Sequence, residues 1–231
     1  FNTTVDWQER HKMLRVSFPT TIESESATYE IQYGNLKRPT HRNTSWDFAR
    51  FEVVAHRYAD LSQQDYGVAL LNDCKYGHKI LDNVMDLNLL RSPTEPDPDA
   101  DRGSHQFIYS LLPHKGNFIE SDVIAHAASL NMGLAVFDGF SADTVTVPVV
   151  LNSEDNAVSM EVLKRAEKED CLVIRLVELK GCHSSATLNF ANPKAKLTEC
   201  DIMEWKMIGK EITCGASKPI KLRPFEIKTF K

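Results

Sequence analysis

Hydrophobic and polar residues alternate with period two along most of this chain, the spacing of strands rather than helices. In "MLRVSF", Met13, Arg15 and Ser17 fall on one face and Leu14, Val16 and Phe18 on the other. "ATYEIQYGN" alternates in the same way, and Gly34-Asn35 punctuates it. "RFEVVAHRYADLS" is rich in β-branched and aromatic residues. "DYGVALLND" is a short apolar run between turn residues, which predicts a strand buried on both faces. "HQFIYSLLPH" reads as another strand. It follows a loop, "RSPTEPDPDADRGSH", whose prolines exclude regular structure.

One segment breaks the period. In "ESDVIAHAASLN", Val123, Ile124, Ala127, Ala128 and Leu130 recur at helical spacing behind Ser121 or Asp122 as N-cap. Beyond it the alternation returns in short runs: "TVTVPVVLN", "AVSMEVLKRAE", "DCLVIRLVELKG", "SATLNFA", "KAKLTECDIMEW", "EITCGA" and "IKLRPFEIKTFK". Strands at such intervals predict a small antiparallel sandwich. The expected organisation is mainly β, with one short helix. A large antiparallel sandwich spans 1–145 and a smaller one 146–231.

Composition removes several function classes. The 231 residues carry a net charge of -5, and the basic residues are dispersed, so no nucleic-acid groove is marked. No apolar stretch approaches membrane-spanning length, and no signal-peptide pattern opens the chain. Cys74, Cys171, Cys182, Cys200 and Cys214 are odd in number and widely spaced, which points to reduced thiols in a cytoplasmic protein. A strand beginning so close to Phe1 suggests a chain cut from something larger, its first sandwich incomplete at the N-terminus.

The densest candidate chemistry is "LLNDCKYGH". Asp73, Cys74 and His78 offer neither a helical i,i+4 ligand pair nor a paired-cysteine clamp, so no metal site is expected. Cys74 lacks a partner motif for a nucleophile. If Gly67–Asn72, Tyr76–Leu81 and Val84–Arg91 form a meander, Arg91 returns to the sheet edge that holds Asp73 and Tyr76. A carboxylate, a phenol and a guanidinium gathered there suit hydroxyl-rich ligands or docking to another domain. The sequence has no Gly-rich phosphate loop, nucleophile elbow or triad. "LLPHKG" reads as a solvated turn around His114 and Lys115. In "VIRLVEL", Arg175 and Glu178 fall on opposite faces.

"GVALLNDCKYG", "LNLLRSPTEPD", "ADRGSHQFIYSLLPHKG", "VIRLVELKG" and "LRPFEIKTF" together resemble the C-terminal region of glycoside hydrolase family 38 α-mannosidases, in the cytosolic and bacterial branch. The resemblance implies a mutarotase-like large sandwich followed by a smaller one. It implies a parent that is a retaining exo-α-mannosidase acting on mannose-containing oligosaccharides. Zinc or another divalent metal and the aspartate nucleophile would lie on an N-terminal catalytic domain whose motifs this chain lacks. The chain alone would be inactive and hold no cofactor. Asp73, Tyr76 and Arg91 would line the sugar pocket. An uncovered docking face would favour homo-oligomers. The rival reading is a free-standing sandwich that binds carbohydrate or serves in assembly.

Overall fold

The computed structural model describes residues 1–139, 141 and 146–231. It resolves into two compact units, Phe1–Gly133 and Leu134–Lys231. The boundary expected near residue 145 falls outside the described residues.

The first unit contains β1 (Asn2–Trp7), β2 (Leu14–Pro19), β3 (Ser26–Ile31), β4 (Gly34–Pro39), α1 (Ser45–Ala49), β5 (Val53–Val54), β6 (Tyr58–Ser62), β7 (Tyr66–Asn72), β8 (Gly77–Leu81), β9 (Val84–Leu90), β10 (Gly103–Lys115) and α2 (Val123–Asn131). Six strands form one sheet in the order β1-β10-β7-β6-β3-β4, and four form another in the order β2-β9-β8-β5. Both are antiparallel throughout. Their facing sides share one core, with Tyr29, Leu61 and Leu70 from the larger sheet and Ile80, Met85 and Leu87 from the smaller.

The continuous burial of β7 has two causes, because successive side chains leave a strand on opposite faces. Val68 and Leu70 enter the sandwich core. Ala69 and Leu71 pack with Tyr58, Phe118, Val123 and Ala127, so α2 covers the outer face. Truncating a side chain such as Leu70 to Ala would cost roughly 2–5 kcal/mol.

The three-strand meander does not form. β7 pairs with β6 on one side and β10 on the other, so neither edge is free for β8. The chain instead crosses from the larger sheet to the smaller between Asn72 and Gly77, and β8 pairs with β5 and β9. The second turn is as expected: Asp82 and Asn83 join β8 to β9, with Asp82 at φ +53°. Between β3 and β4 the turn falls on Gln32 and Tyr33 rather than Gly34-Asn35, which already belong to β4.

α1 adds a second helix to the single one expected. Thr44 caps it, accepting from the Asp47 N–H at 3.1 Å. α2 begins after Asp122, which makes no side-chain cap bond; the Ser121 hydroxyl accepts from Val123 N–H at 3.4 Å instead.

The second unit contains β11 (Val149–Asn152), β12 (Val158–Arg165), β13 (Leu172–Glu178), β14 (Ser184–Phe190), β15 (Lys196–Leu197), β16 (Glu199–Cys200), β17 (Ile212–Thr213), β18 (Ser217–Leu222) and β19 (Ile227–Phe230). Sheets β11-β14-β18 and β12-β13-β19-β16 enclose Val149, Leu188 and Ile220 against Ile174, Leu176 and Phe230. β15 and β17 form a short ribbon.

Candidate functional site

The site grows from the end of β7. Asn72 is fully buried, and its side chain fixes the crossing. Its Nδ2 donates to the His56 carbonyl at 2.9 Å, and its Oδ1 accepts from Lys75 N–H at 2.6 Å. The next residue, Asp73, clamps the turn to β10. Its N–H donates to the Ile108 carbonyl and its Oδ2 accepts from Ile108 N–H, both at 3.1 Å. Its other oxygen, Oδ1, is buried and has no hydrogen-bond partner among the described residues. Asp73 lines a cleft of about 440 Å³ with Asn2, Thr3, Thr4, Gln106 and Phe107.

The remaining turn residues divide their roles. Burial, with help from Asp73, pushes the Cys74 thiol up to about 11, so it is not poised as a nucleophile. Lys75 places its Nζ 4.4 Å from the Phe107 ring centroid. Tyr76 stacks on His56 with centroids 5.3 Å apart and stays about half exposed. Its carbonyl accepts from Ala55 N–H at 3.1 Å. His78 is fully buried, and burial pushes its pKa down to about 4, which leaves the imidazole neutral.

Arg91 arrives differently from the sequence-based expectation. Its guanidinium is exposed and makes no hydrogen bond or ion pair among the described residues. No hydrogen bond or ion pair joins it to Asp73 or Tyr76 among the described residues, and β9 lies in the other sheet from β7, the strand that leads into Asp73. The connection runs through Asp101, in the proline-rich loop. Asp101 Oδ2 accepts from the backbone N–H of Arg91 at 2.9 Å and of Ser92 at 3.0 Å. The Arg91 N–H is the main reason its carboxyl lies below the ordinary range; burial opposes, and Ser92 N–H, His105 and Lys75 add to the shift. Lys75 is thus electrostatically in reach of the loop that holds Arg91.

Sequence reasoning missed Asp101 and Asn72. The stretch around Asp101 reads only as a proline-rich loop, and the left-handed φ of +62° at Asp101 accompanies the turn of its carboxylate back onto the strand end. Asn72 stands in the stretch already singled out, and an Asn after a buried apolar run is a turn-forming signal.

Two other polar centres support the fold. His114 is not in a solvated turn: its Nε2 lies 2.7 Å from the fully buried Asp60 carboxylate, and its side chain is only 8% exposed. Ser62 Oγ donates to the other Asp60 oxygen at 2.8 Å. Glu178 is fully buried and accepts N–H bonds from Lys180, Gly181 and Phe225 at 2.8–2.9 Å. Arg175 instead meets Glu204 at 3.2 Å, in keeping with opposite faces for Arg175 and Glu178. All five cysteines are free. Among the described residues, no group of three or more His, Cys, Asp or Glu side chains converges as a metal site would require.

Residues 1–99 match the glycosyl hydrolases family 38 C-terminal domain, and residues 157–230 match the family 38 C-terminal beta sandwich domain. The chain is 47% identical over 207 residues to alpha-mannosidase 2C1 of Mus musculus, which covers 88% of this chain and 20% of that protein. It is 42% identical over 239 residues to alpha-mannosidase G of Dictyostelium discoideum, covering all of this chain and 22% of the relative. The crystal structure of an alpha-mannosidase from Enterococcus faecalis V583 superimposes with a TM-score of 0.77 at 22% identity, over 99% of this chain and 26% of that one. The chain therefore spans about a fifth of the length of the curated relatives it matches. Two consecutive sandwiches, each matched by the corresponding C-terminal domain, place this chain in glycosyl hydrolase family 38, to whose C-terminal region it belongs.

Proposed function

We propose that this chain is the non-catalytic β-rich part of a cytoplasmic, retaining exo-α-mannosidase. The observation that carries the reading is identity of 42–47% with proteins named alpha-mannosidase, sustained over 88% or more of the chain. A retaining glycosidase uses two carboxyl groups about 5–5.5 Å apart, one as nucleophile and one as acid. In this reading both belong to the N-terminal catalytic part of the parent. The zinc or other divalent metal belongs there too, where it would bind and polarise sugar hydroxyls.

The role left to the present residues is to shape the edge of the sugar pocket. Asp73 supports it, because its buried Oδ1 can accept a hydrogen bond from a mannose hydroxyl or from the catalytic part. Tyr76 offers a phenol held in place by the His56 stack. The Arg91 guanidinium, without a hydrogen bond or ion pair among the described residues, is available to an oxygen-rich partner.

The test is hydrolysis of an aryl α-mannoside with zinc or cobalt added, by the full-length parent and by this chain alone. Turnover is expected only from the parent. Turnover by the pure 231-residue chain overturns the non-catalytic assignment, and an inactive metal-loaded parent overturns the mannosidase assignment.

A further inference from the structure

The most unusual surface of the first unit lies far in sequence from "NDCKYG". Between Trp46 and Val54, four apolar side chains face solvent: Trp46 is 83% exposed, Phe48 62%, Phe51 63% and Val54 56%. Local structure forces the first two outward. Asp47 turns inward, where it accepts from Thr44 Oγ1 at 2.7 Å and meets Arg50 at 3.3 Å. Its neighbours Trp46 and Phe48 on the single turn of α1 then point away. Arg42 lies 5.9 Å from the Phe48 ring centroid and 5.8 Å from that of Phe51, which joins the two rings into one patch.

A polar socket lies beside the patch. Arg38, Asp47, Phe51, Glu52 and His78 contribute to a cavity of about 30 Å³. Of the four buried side-chain atoms without a hydrogen-bond partner among the described residues, three belong to this lining: Arg38 Nη1, Glu52 Oε2 and His78 Nδ1. Buried polar atoms left unpaired cost stability, and their convergence in one cavity marks a place for a polar group from elsewhere. The volume suits one hydroxyl, amide or water. A group that accepts from Arg38 and donates to Glu52 fits the unmet bonds.

Charge narrows the occupant. Glu52 is already matched by Arg15, and Asp47 by Arg50. Arg38 and Arg42 have no carboxylate partner among the described residues. The surroundings are therefore net basic and favour an acidic counterpart. Exposed aromatics around a polar anchor, with unpaired arginines, have the composition of an interface hot spot rather than an ordinary wet surface. The curated relatives are about five times as long as the matched length, which supplies a covalently linked occupant at high effective concentration.

We infer that Trp46, Phe48 and Phe51, with the Arg38–Glu52–His78 socket, dock a surface of the parent polypeptide that lies outside these 231 residues, apolar at its centre and acidic at its rim. The inference rests on the proposed membership in a longer mannosidase, and the test separates the two. In the full-length parent, Trp46 is replaced by p-benzoylphenylalanine, irradiated, and the crosslinked peptides are identified by mass spectrometry. A parallel preparation carries the photoprobe at Phe48. The expected product is an intrachain crosslink from both positions to residues outside the present chain, with yield reduced by Arg42→Glu. A crosslink to a second copy, to residues 134–231, or none at either position overturns the docking assignment. Activity of the unmodified parent on an aryl α-mannoside is read separately. An active parent without the expected crosslink sinks the docking surface alone, and an inactive parent sinks the mannosidase reading whatever the crosslinks show.

Discussion

Removing the Asp101 carboxylate should loosen the end of β9 more than removing the Arg91 side chain beside it. Asp101 Oδ2 accepts two backbone N–H bonds, from Arg91 at 2.9 Å and from Ser92 at 3.0 Å. Hydrogen bonds to a charged group contribute about 1.5–3 kcal/mol each, and partial exposure places these at the low end, about 3 kcal/mol together. Asp101 also holds φ at +62°, where an alanine adds about 1 kcal/mol of strain. Water can satisfy the exposed Arg91 N–H and return about 1 kcal/mol, whereas Ser92 is buried and its N–H loses its acceptor. Asp101→Ala should therefore destabilise by about 3 kcal/mol, and Asp101→Asn, which tolerates the left-handed region and keeps an acceptor, by about 1 kcal/mol. The shift in thermal midpoint for alanine is about 10 °C. Tryptophan fluorescence during urea unfolding provides the assay, because Trp7 Nε1 donates to Ser92 Oγ beside the affected bonds. Exposed Trp46 and Trp205 are changed to Phe in the background so that the signal comes from Trp7. The folded carboxyl lies below its ordinary pKa, so its contribution is present above about pH 3.9 and is lost as pH falls through the folded value. An Asp101→Ala protein within about 0.5 kcal/mol of its parent would refute the claim that this carboxylate fastens the strand end.

Arg91→Ala should leave the urea midpoint unchanged, since the guanidinium has no partner among the described residues, yet slow kcat/KM of the full-length enzyme by roughly 10- to 150-fold; wild-type kinetics would remove Arg91 from the site. Burial opposes charge on His114, but the hydrogen bond and charge of Asp60 outweigh it and raise its pKa. Stability from this pair should be complete below about pH 6.5 and decline as pH rises through the folded value, and Asp60→Asn should flatten that slope in urea titrations across the range. Gly67→Ala should destabilise by at least about 2 kcal/mol. Its new Cβ would lie 2.3 Å from His114 Cε1 and 2.6 Å from Ser62 Cβ, and a midpoint close to wild type would show that the His114 ring yields.

The sequence determined the elements whose cause is local. Period-two alternation marked most strands, the continuous apolar run of β7 announced burial on both faces, and Asp82-Asn83 located a two-residue turn. Spacing alone also placed α2, with Ser121 and Asp122 at its start. The ordered motifs carried the family, because several long matches in sequence do not arise by chance. What failed was pairing. β7 is followed after only four intervening residues by β8 yet pairs with β6 and β10, and nothing in Asn72–Gly77 tells a hairpin from a crossing between sheets. That choice is made by distant partners: Ile108 binds Asp73, and Ala55 binds the carbonyl of Tyr76. The consequence reached the candidate site directly. The tertiary structure replaced a contact between Arg91 and Asp73 with two backbone bonds to Asp101, a residue that alternation could only class as loop. It also decided the states of two histidines with the same intrinsic chemistry. His78 is buried near the Arg38 cation, and burial first and that charge second keep it neutral, whereas His114 meets a buried carboxylate that favours its proton, because burial and charge proximity are properties of packing rather than of a residue's neighbours in the chain.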